Sequence, residues 1–126
     1  MTSARILVVE DNPLNLKLAR DVLTFADYDV IEAQSGEDAL RIAKETRPDL
    51  VLMDLQLPGI DGTETLRRLR ESTLGPEVPI VAVTALAMAE DKERAARAGF
   101  DGYIEKPISA RALPGQVEAF LNGRTH

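Results

Sequence analysis

Short apolar runs and stretches of helical periodicity alternate along this chain. Ile6-Leu7-Val8-Val9 is apolar without interruption until Glu10-Asp11, as expected of a strand covered on both faces. Asn12-Pro13 reads as a helix start, with Asn12 as N-cap and Pro13 in the first helical position. Leu14, Leu18, Val22 and Phe25 follow at helical spacing with Ala19, Leu23 and Ala26 beside them, which predicts the inner face of a first helix. Residues 28–33 predict a second strand. Ser35 then caps a second helix, with Asp38 three residues on and Ala39, Leu40 and Ala43 turned inward. Arg47-Pro48 stops that helix, because the residue before proline avoids the helical region.

The same alternation continues. Leu50 to Asp54 is a third strand, apolar until its last residue. Pro58-Gly59 and Asp61-Gly62 carry turn chemistry. Residues 63–71 predict a third helix, with Leu66 and Leu69 inward and Arg67, Arg68 and Arg70 on a solvated face. Residues 79–84 read as a fourth strand, 88–98 as a fourth helix closed by Gly99 at the C′ position, and Tyr103-Ile104 as part of a fifth strand. Pro114 cannot sit inside a helix, so a short turn over 109–112 and a last helix from near Leu113 are expected. Five strands alternating with five helices predict an α/β fold, a parallel sheet covered on both faces with right-handed crossovers. No repeat or linker interrupts residues 1–126, so one domain with no separate output domain is expected.

Composition narrows the function. The 126 residues hold no cysteine, which excludes disulfides, thiolate zinc sites and cysteine nucleophiles. The one histidine, His126, is the last residue, which leaves no Ser-His-Asp machinery. Acids outnumber bases 21 to 15, for a net charge of −6, which argues against direct binding of nucleic acid. No run reaches the roughly 18 apolar residues of a membrane span, so a cytoplasmic protein without membrane insertion is expected.

In open α/β sheets, ligands bind beyond the carboxyl ends of the strands. Glu10 and Asp11 follow the first strand, Asp54 ends the third, Thr84 ends the fourth and Lys106 lies just past the fifth. Any one of these alone reads blandly, as a turn residue, a cap or a surface charge. Together they bring three carboxylates, a hydroxyl and an ammonium to one rim. Clustered carboxylates repel one another, and a hard cation such as Mg²⁺ relieves that repulsion. A carboxylate held rigidly at such a site can accept a phosphoryl group, with Lys106 and Thr84 as partners for its oxygens.

These residues give the chain its resemblance. Val9-Glu10-Asp11-Asn12, the run Asp54-Leu-Gln-Leu-Pro58-Gly-Ile-Asp61-Gly62, Val83-Thr84-Ala85 and Lys106-Pro107, in this order, resemble the receiver domain of two-component response regulators. Among receivers the chain is most similar to single-domain regulators and to the receivers of hybrid kinases, on Glu10-Asp11-Asn12-Pro13, Thr84-Ala-Leu-Ala-Met88 and the residues from Gly99 to Ile108. The resemblance implies a flavodoxin-like three-layer sandwich with strand order 2-1-3-4-5. It implies that Asp54 accepts phosphate from a histidine kinase or histidine phosphotransfer protein, and that Glu10, Asp11, Asp54 and the backbone carbonyl of Gln56 hold Mg²⁺. Lys106 would contact the phosphoryl group, Thr84 would move onto it, Tyr103 would be an aromatic switch, and the Lys106-Pro107 bond would be cis. A downstream protein target would then be met by the face of the fourth helix, fifth strand and last helix, with a receptive surface around Tyr103 and Leu113. The protein would be a monomer or a weak phosphorylation-dependent dimer.

Gln56 and Leu86 flank the expected site and are candidates for tuning phosphate lifetime. The only chemistry expected is self-phosphorylation and autodephosphorylation. Aspartyl-phosphate phosphohydrolases resemble this pattern but carry a second acid where Gln56 stands. A pseudo-receiver would lack the acidic pair, the acceptor or the lysine, and all are present. A flavin carrier fits poorly with 4% aromatic residues.

Overall fold

A computed structural model describes residues 3–57, 59–85 and 89–123. Pro58, Leu86, Met88 and His126, all named above, lie outside the described residues. The order of elements is β1 Arg5–Val9, α1 Pro13–Phe25, β2 Asp29–Ala33, α2 Gly36–Glu45, β3 Leu50–Asp54, α3 Gly62–Leu69, β4 Ile80–Thr84, α4 Ala89–Ala98, β5 Gly102–Glu105 and α5 Leu113–Gly123. The strands are all parallel and stand in the order β2-β1-β3-β4-β5, the flavodoxin-like arrangement that the resemblance implies.

The continuous apolar strands are explained by what covers them. Successive side chains of a strand point to opposite faces. Leu7, Val9, Val51, Met53, Ile80 and Ala82 pack with Ala39 and Ala43 of α2 and Leu66 and Leu69 of α3. Their neighbours Ile6, Val8, Leu50, Leu52, Val81 and Val83 pack with Leu16, Ala19 and Leu23 of α1 and Leu113 and Val117 of α5. These core side chains are buried on both faces, and each fully buried Leu or Val contributes about 1.5–3 kcal/mol.

The caps follow the sequence. Asn12 Oδ1 accepts from the Leu14 and Asn15 N–H groups, at 2.9 and 3.1 Å. Ser35 Oγ accepts from Asp38 N–H at 3.1 Å, and Asp61 Oδ1 from Glu64 N–H at 2.9 Å. Gly99 closes α4 at φ 109°, in the left-handed region that favours glycine. α5 begins at Leu113, after the Leu113 N–H to Ser109 carbonyl bond of 2.9 Å, so Pro114 falls in its first turn where a missing N–H is harmless.

Three expectations are corrected. The inner face of α1 is carried by Leu16, Ala19 and Leu23, whereas Leu14 and Phe25 are 78% and 92% exposed. Leu14 and Phe25 sit almost opposite Leu23 at 100° per residue, so α1 bears two apolar stripes and only one meets the sheet. Arg70 does not face solvent with Arg67 and Arg68. The helical path widens to a π-type turn over Arg70–Leu74, and the Arg70 guanidinium donates to the carbonyls of Gly75 and Val78 and to Asp101. Lastly, Tyr103 and Leu113 do not share a surface. Tyr103 packs against the α2–α3 side of the sheet, while Leu113 is fully buried on the α1–α5 side.

Candidate functional site

Parallel pairing places every strand's carboxyl end on one rim, and the predicted residues meet there. Asp54 closes β3 in register with Val83, and Thr84 closes β4 in register with Glu105. Glu10 extends β1 through its N–H to the Ala33 carbonyl at 2.9 Å. Lys106 N–H donates to the Thr84 carbonyl at 2.8 Å, and its bond to Pro107 is cis, as the resemblance implies.

The polar network centres on the Lys106 ammonium. It lies 3.0 Å from Glu10 Oε1 and 3.2 Å from Asp54 Oδ2. Each carboxylate is also held by backbone. Glu10 Oε2 accepts from Asn12 N–H at 3.2 Å, and Asp54 Oδ1 accepts from Gln56 N–H at 3.0 Å. Glu10 and Asp54 are each 4% exposed and Thr84 is 6% exposed, whereas Asp11 faces solvent. Carboxylate oxygens of Glu10, Asp11 and Asp54 lie within 4.8 Å of one another.

Electrostatics follow from this crowding. Burial above all, and then the neighbouring Asp54, push the Glu10 carboxyl above its ordinary range, while Lys106 and the Asn12 N–H pull against that shift without cancelling it. For Lys106, burial opposes the charged form, but Glu10 and Asp54 outweigh it and hold the ammonium protonated above its ordinary value. Three carboxylates against one ammonium leave an excess of negative charge over oxygen donors alone, with no nitrogen or sulfur ligand. That donor set fits a hard, oxygen-seeking divalent cation such as Mg²⁺.

Of the residues named from sequence, Glu10, Asp11, Asp54, Thr84 and Lys106 converge. Gln56 contributes its backbone N–H to Asp54, and its side chain points to solvent. Tyr103 stands apart from the pocket, one strand outward and in register with Ala82. Gly62 is a site residue that turn chemistry alone did not reveal. A Cβ there would lie 2.7 Å from the Asp54 carbonyl oxygen and 3.0 Å from Leu55 Cα, so only glycine lets the start of α3 seat against the end of β3. The sequence places Gly62 at the end of the Asp54–Gly62 run and directly after Asp61, but the close approach that requires glycine shows only in the fold.

The fold and this acidic rim define a receiver. The chain belongs to the response regulator receiver domain family, whose model matches residues 6–118. Receiver domains are switches of two-component signalling that interact with histidine kinases or phosphotransfer proteins. The chain is 41% identical over 116 residues to the polar-differentiation response regulator DivK of Brucella anthropi, covering 92% of this chain and 94% of that one. Among solved structures it resembles the receiver domain of the sensor histidine kinase PA1611 of Pseudomonas aeruginosa, described with a magnesium ion coordinated in its active-site cleft. Their TM-score is 0.86 at 35% identity, over 95% of this chain and 98% of the other. The chemotaxis response regulator CheY4 of Vibrio cholerae gives a TM-score of 0.89 at 26% identity, over 94% of this chain and 99% of the other. No helix among the described residues is long and apolar enough to cross a membrane.

Proposed function

We propose that this protein is a phosphoacceptor switch in which Asp54 takes a phosphoryl group from a phosphohistidine on a kinase or phosphotransfer protein. The observation that carries the reading is the Lys106 ammonium bridging Glu10 and Asp54 at 3.0 and 3.2 Å on a rim that also offers Asp11. In the transfer, an Asp54 carboxylate oxygen bonds to phosphorus, the P–N bond breaks, and the donor imidazole leaves with the bonding pair and takes up a proton. The Gln56 N–H fixes the orientation of the Asp54 carboxylate, which limits the motion lost on reaching the transition state. Lys106 is already beside the acceptor and offers its charge to the phosphoryl oxygens.

Glu10, Asp11, Asp54 and the Gln56 carbonyl would hold Mg²⁺, which supplies charge neutralisation for the transferred group when bound. The magnesium described for the Pseudomonas aeruginosa receiver supports this assignment. Thr84, next to the pocket on β4, would follow the phosphoryl group, and Tyr103 would follow Thr84, so that α4, β5 and α5 present a changed face to a downstream protein. The pseudo-receiver reading is weaker, because Lys106 pairs with both Glu10 and the acceptor, and oxygens of the acidic pair and the acceptor lie within 4.8 Å of one another.

The test uses a phosphorylated histidine phosphotransfer protein with the full chain and Mg²⁺. Transfer to the wild type as hydroxylamine-labile phosphate, lost in Asp54→Ala and on chelation of the metal, is expected. Equal labelling of Asp54→Ala would refute the assignment.

A further inference from the structure

The chemistry of the pocket ends at Thr84, and its effect has to be read further out, where α4 lies against β5. From Lys92 to Ala98, α4 is held at few points. Its C-terminal end is pinned: Phe100 is 6% exposed, and Asp101 Oδ2 accepts from Ile80 N–H at 2.8 Å and from the Arg70 guanidinium at 2.7 Å. Between Lys92 and Ala98, Ala95 is the one buried side chain, and a methyl group anchors a helix weakly. One turn before it, the Lys92 ammonium lies over the Tyr103 ring, 4.8 Å from its centroid. Tyr103 is half-buried on β5 in register with Ala82, two residues before Thr84. Its neighbour Glu105 adds attraction for the same ammonium.

We infer that Lys92 is a positioning residue that latches α4 onto β5 through the face of Tyr103 and so weights the resting arrangement of the switch. The inference rests on the reading of Thr84 and Tyr103 as the switch pair given above. A cation above an aromatic ring needs the ring face turned toward it. When Tyr103 swings toward Thr84 that face turns away, and the contact is lost while Ala95 stays packed. A contact made in only one of two states shifts their ratio by its full worth. For a cation–π pair at an exposed site, the shift is about two- to fivefold.

The sequence contains only two tyrosines, Tyr28 and Tyr103, so 3-fluorotyrosine labelling gives one ¹⁹F resonance at the switch and one internal control. The wild type, Lys92→Met and Lys92→Arg are compared without ligand and with Mg²⁺ and beryllofluoride. In unliganded Lys92→Met the Tyr103 resonance is expected to move toward its activated position, raising the activated-to-resting ratio about two- to fivefold. Tyr28 stays in place and Lys92→Arg restores the wild-type position. Coincident Tyr103 resonances in unliganded wild type and Lys92→Met, with both responding to beryllofluoride, would overturn the latch. A Tyr103 resonance in the wild type that ignores beryllofluoride would overturn the switch reading itself.

Discussion

Lys106 is bound to two carboxylates at once, and that double contact gives it opposite effects on two measurable steps. It shields Glu10 from Asp54 in the resting protein, and it competes with a cation for the same oxygens. Lys106→Met therefore should bind Mg²⁺ at least as tightly as the wild type. Its phosphorylation should nonetheless slow by about 10²–10³-fold, the effect of removing one preorganised charge partner of a transition state. Mg²⁺ affinity and phosphorylation rate, measured separately on the same variant, check both signs. Gly62 belongs to the same scale. Its value lies in an absent Cβ, a spatial requirement that neither turn chemistry nor the Asp54–Gly62 run spells out.

At the scale of elements, α1 carries a second apolar stripe that the sheet does not use. Leu14 is 78% exposed in the first turn of α1, three residues after Asp11. A protein donor that brings a phosphohistidine to Asp54 is expected to dock over this exposed leucine, and a small phosphodonor is not. Leu14→Ala is expected to slow transfer from a phosphotransfer protein several-fold while leaving labelling by acetyl phosphate unchanged, as parallel time courses would reveal.

On α3, the guanidinium groups of Arg67 and Arg68 hydrogen-bond to Glu64 and lower its carboxyl to about 2. A carboxyl lowered on folding stabilises above its unfolded value, near 4.5, and that stabilisation fades as pH falls toward about 2. Glu64→Gln should therefore melt slightly below the wild type at neutral pH, and the gap in Tm should close across that acidic window. All three side chains are at least partly solvated, so the gap should also shrink in high salt.

These elements also mark how far sequence reasoning reached. Strand ends, caps and the late start of α5 were legible because each depends on local chemistry at a fixed spacing. The rotation of α1 was not, since two apolar stripes satisfy the same period and packing alone chooses between them. Arg70 was not legible either: the π-type turn from Arg70 to Leu74 carries the chain back so that the carbonyls of Gly75 and Val78 meet its guanidinium, a contact that a run of three arginines on one helix does not announce. Lys92 over Tyr103 joins residues of different elements and leaves no trace in either local pattern.

For the whole molecule, the net charge is −6, and among the described residues three carboxylates gather at one rim of the sheet against one ammonium. A cation that binds this folded cluster and ignores the unfolded chain stabilises the fold by mass action. The gain is about 2.7 kcal/mol at a hundredfold excess over its dissociation constant. Mg²⁺ should raise the Tm of the wild type by several degrees, and Asp11→Ala should lose most of that rise. Calorimetry with and without chelator measures both. Whether Asp54 is the phosphoacceptor is decided by reductive trapping. The protein is phosphorylated with Mg²⁺ and acetyl phosphate and reduced with borohydride, which converts an aspartyl phosphate to homoserine, and the product is mapped by peptide mass spectrometry. Homoserine is expected at position 54 and at no other acid. Homoserine at another carboxylate, or labelled protein with Asp54 intact, would contradict it.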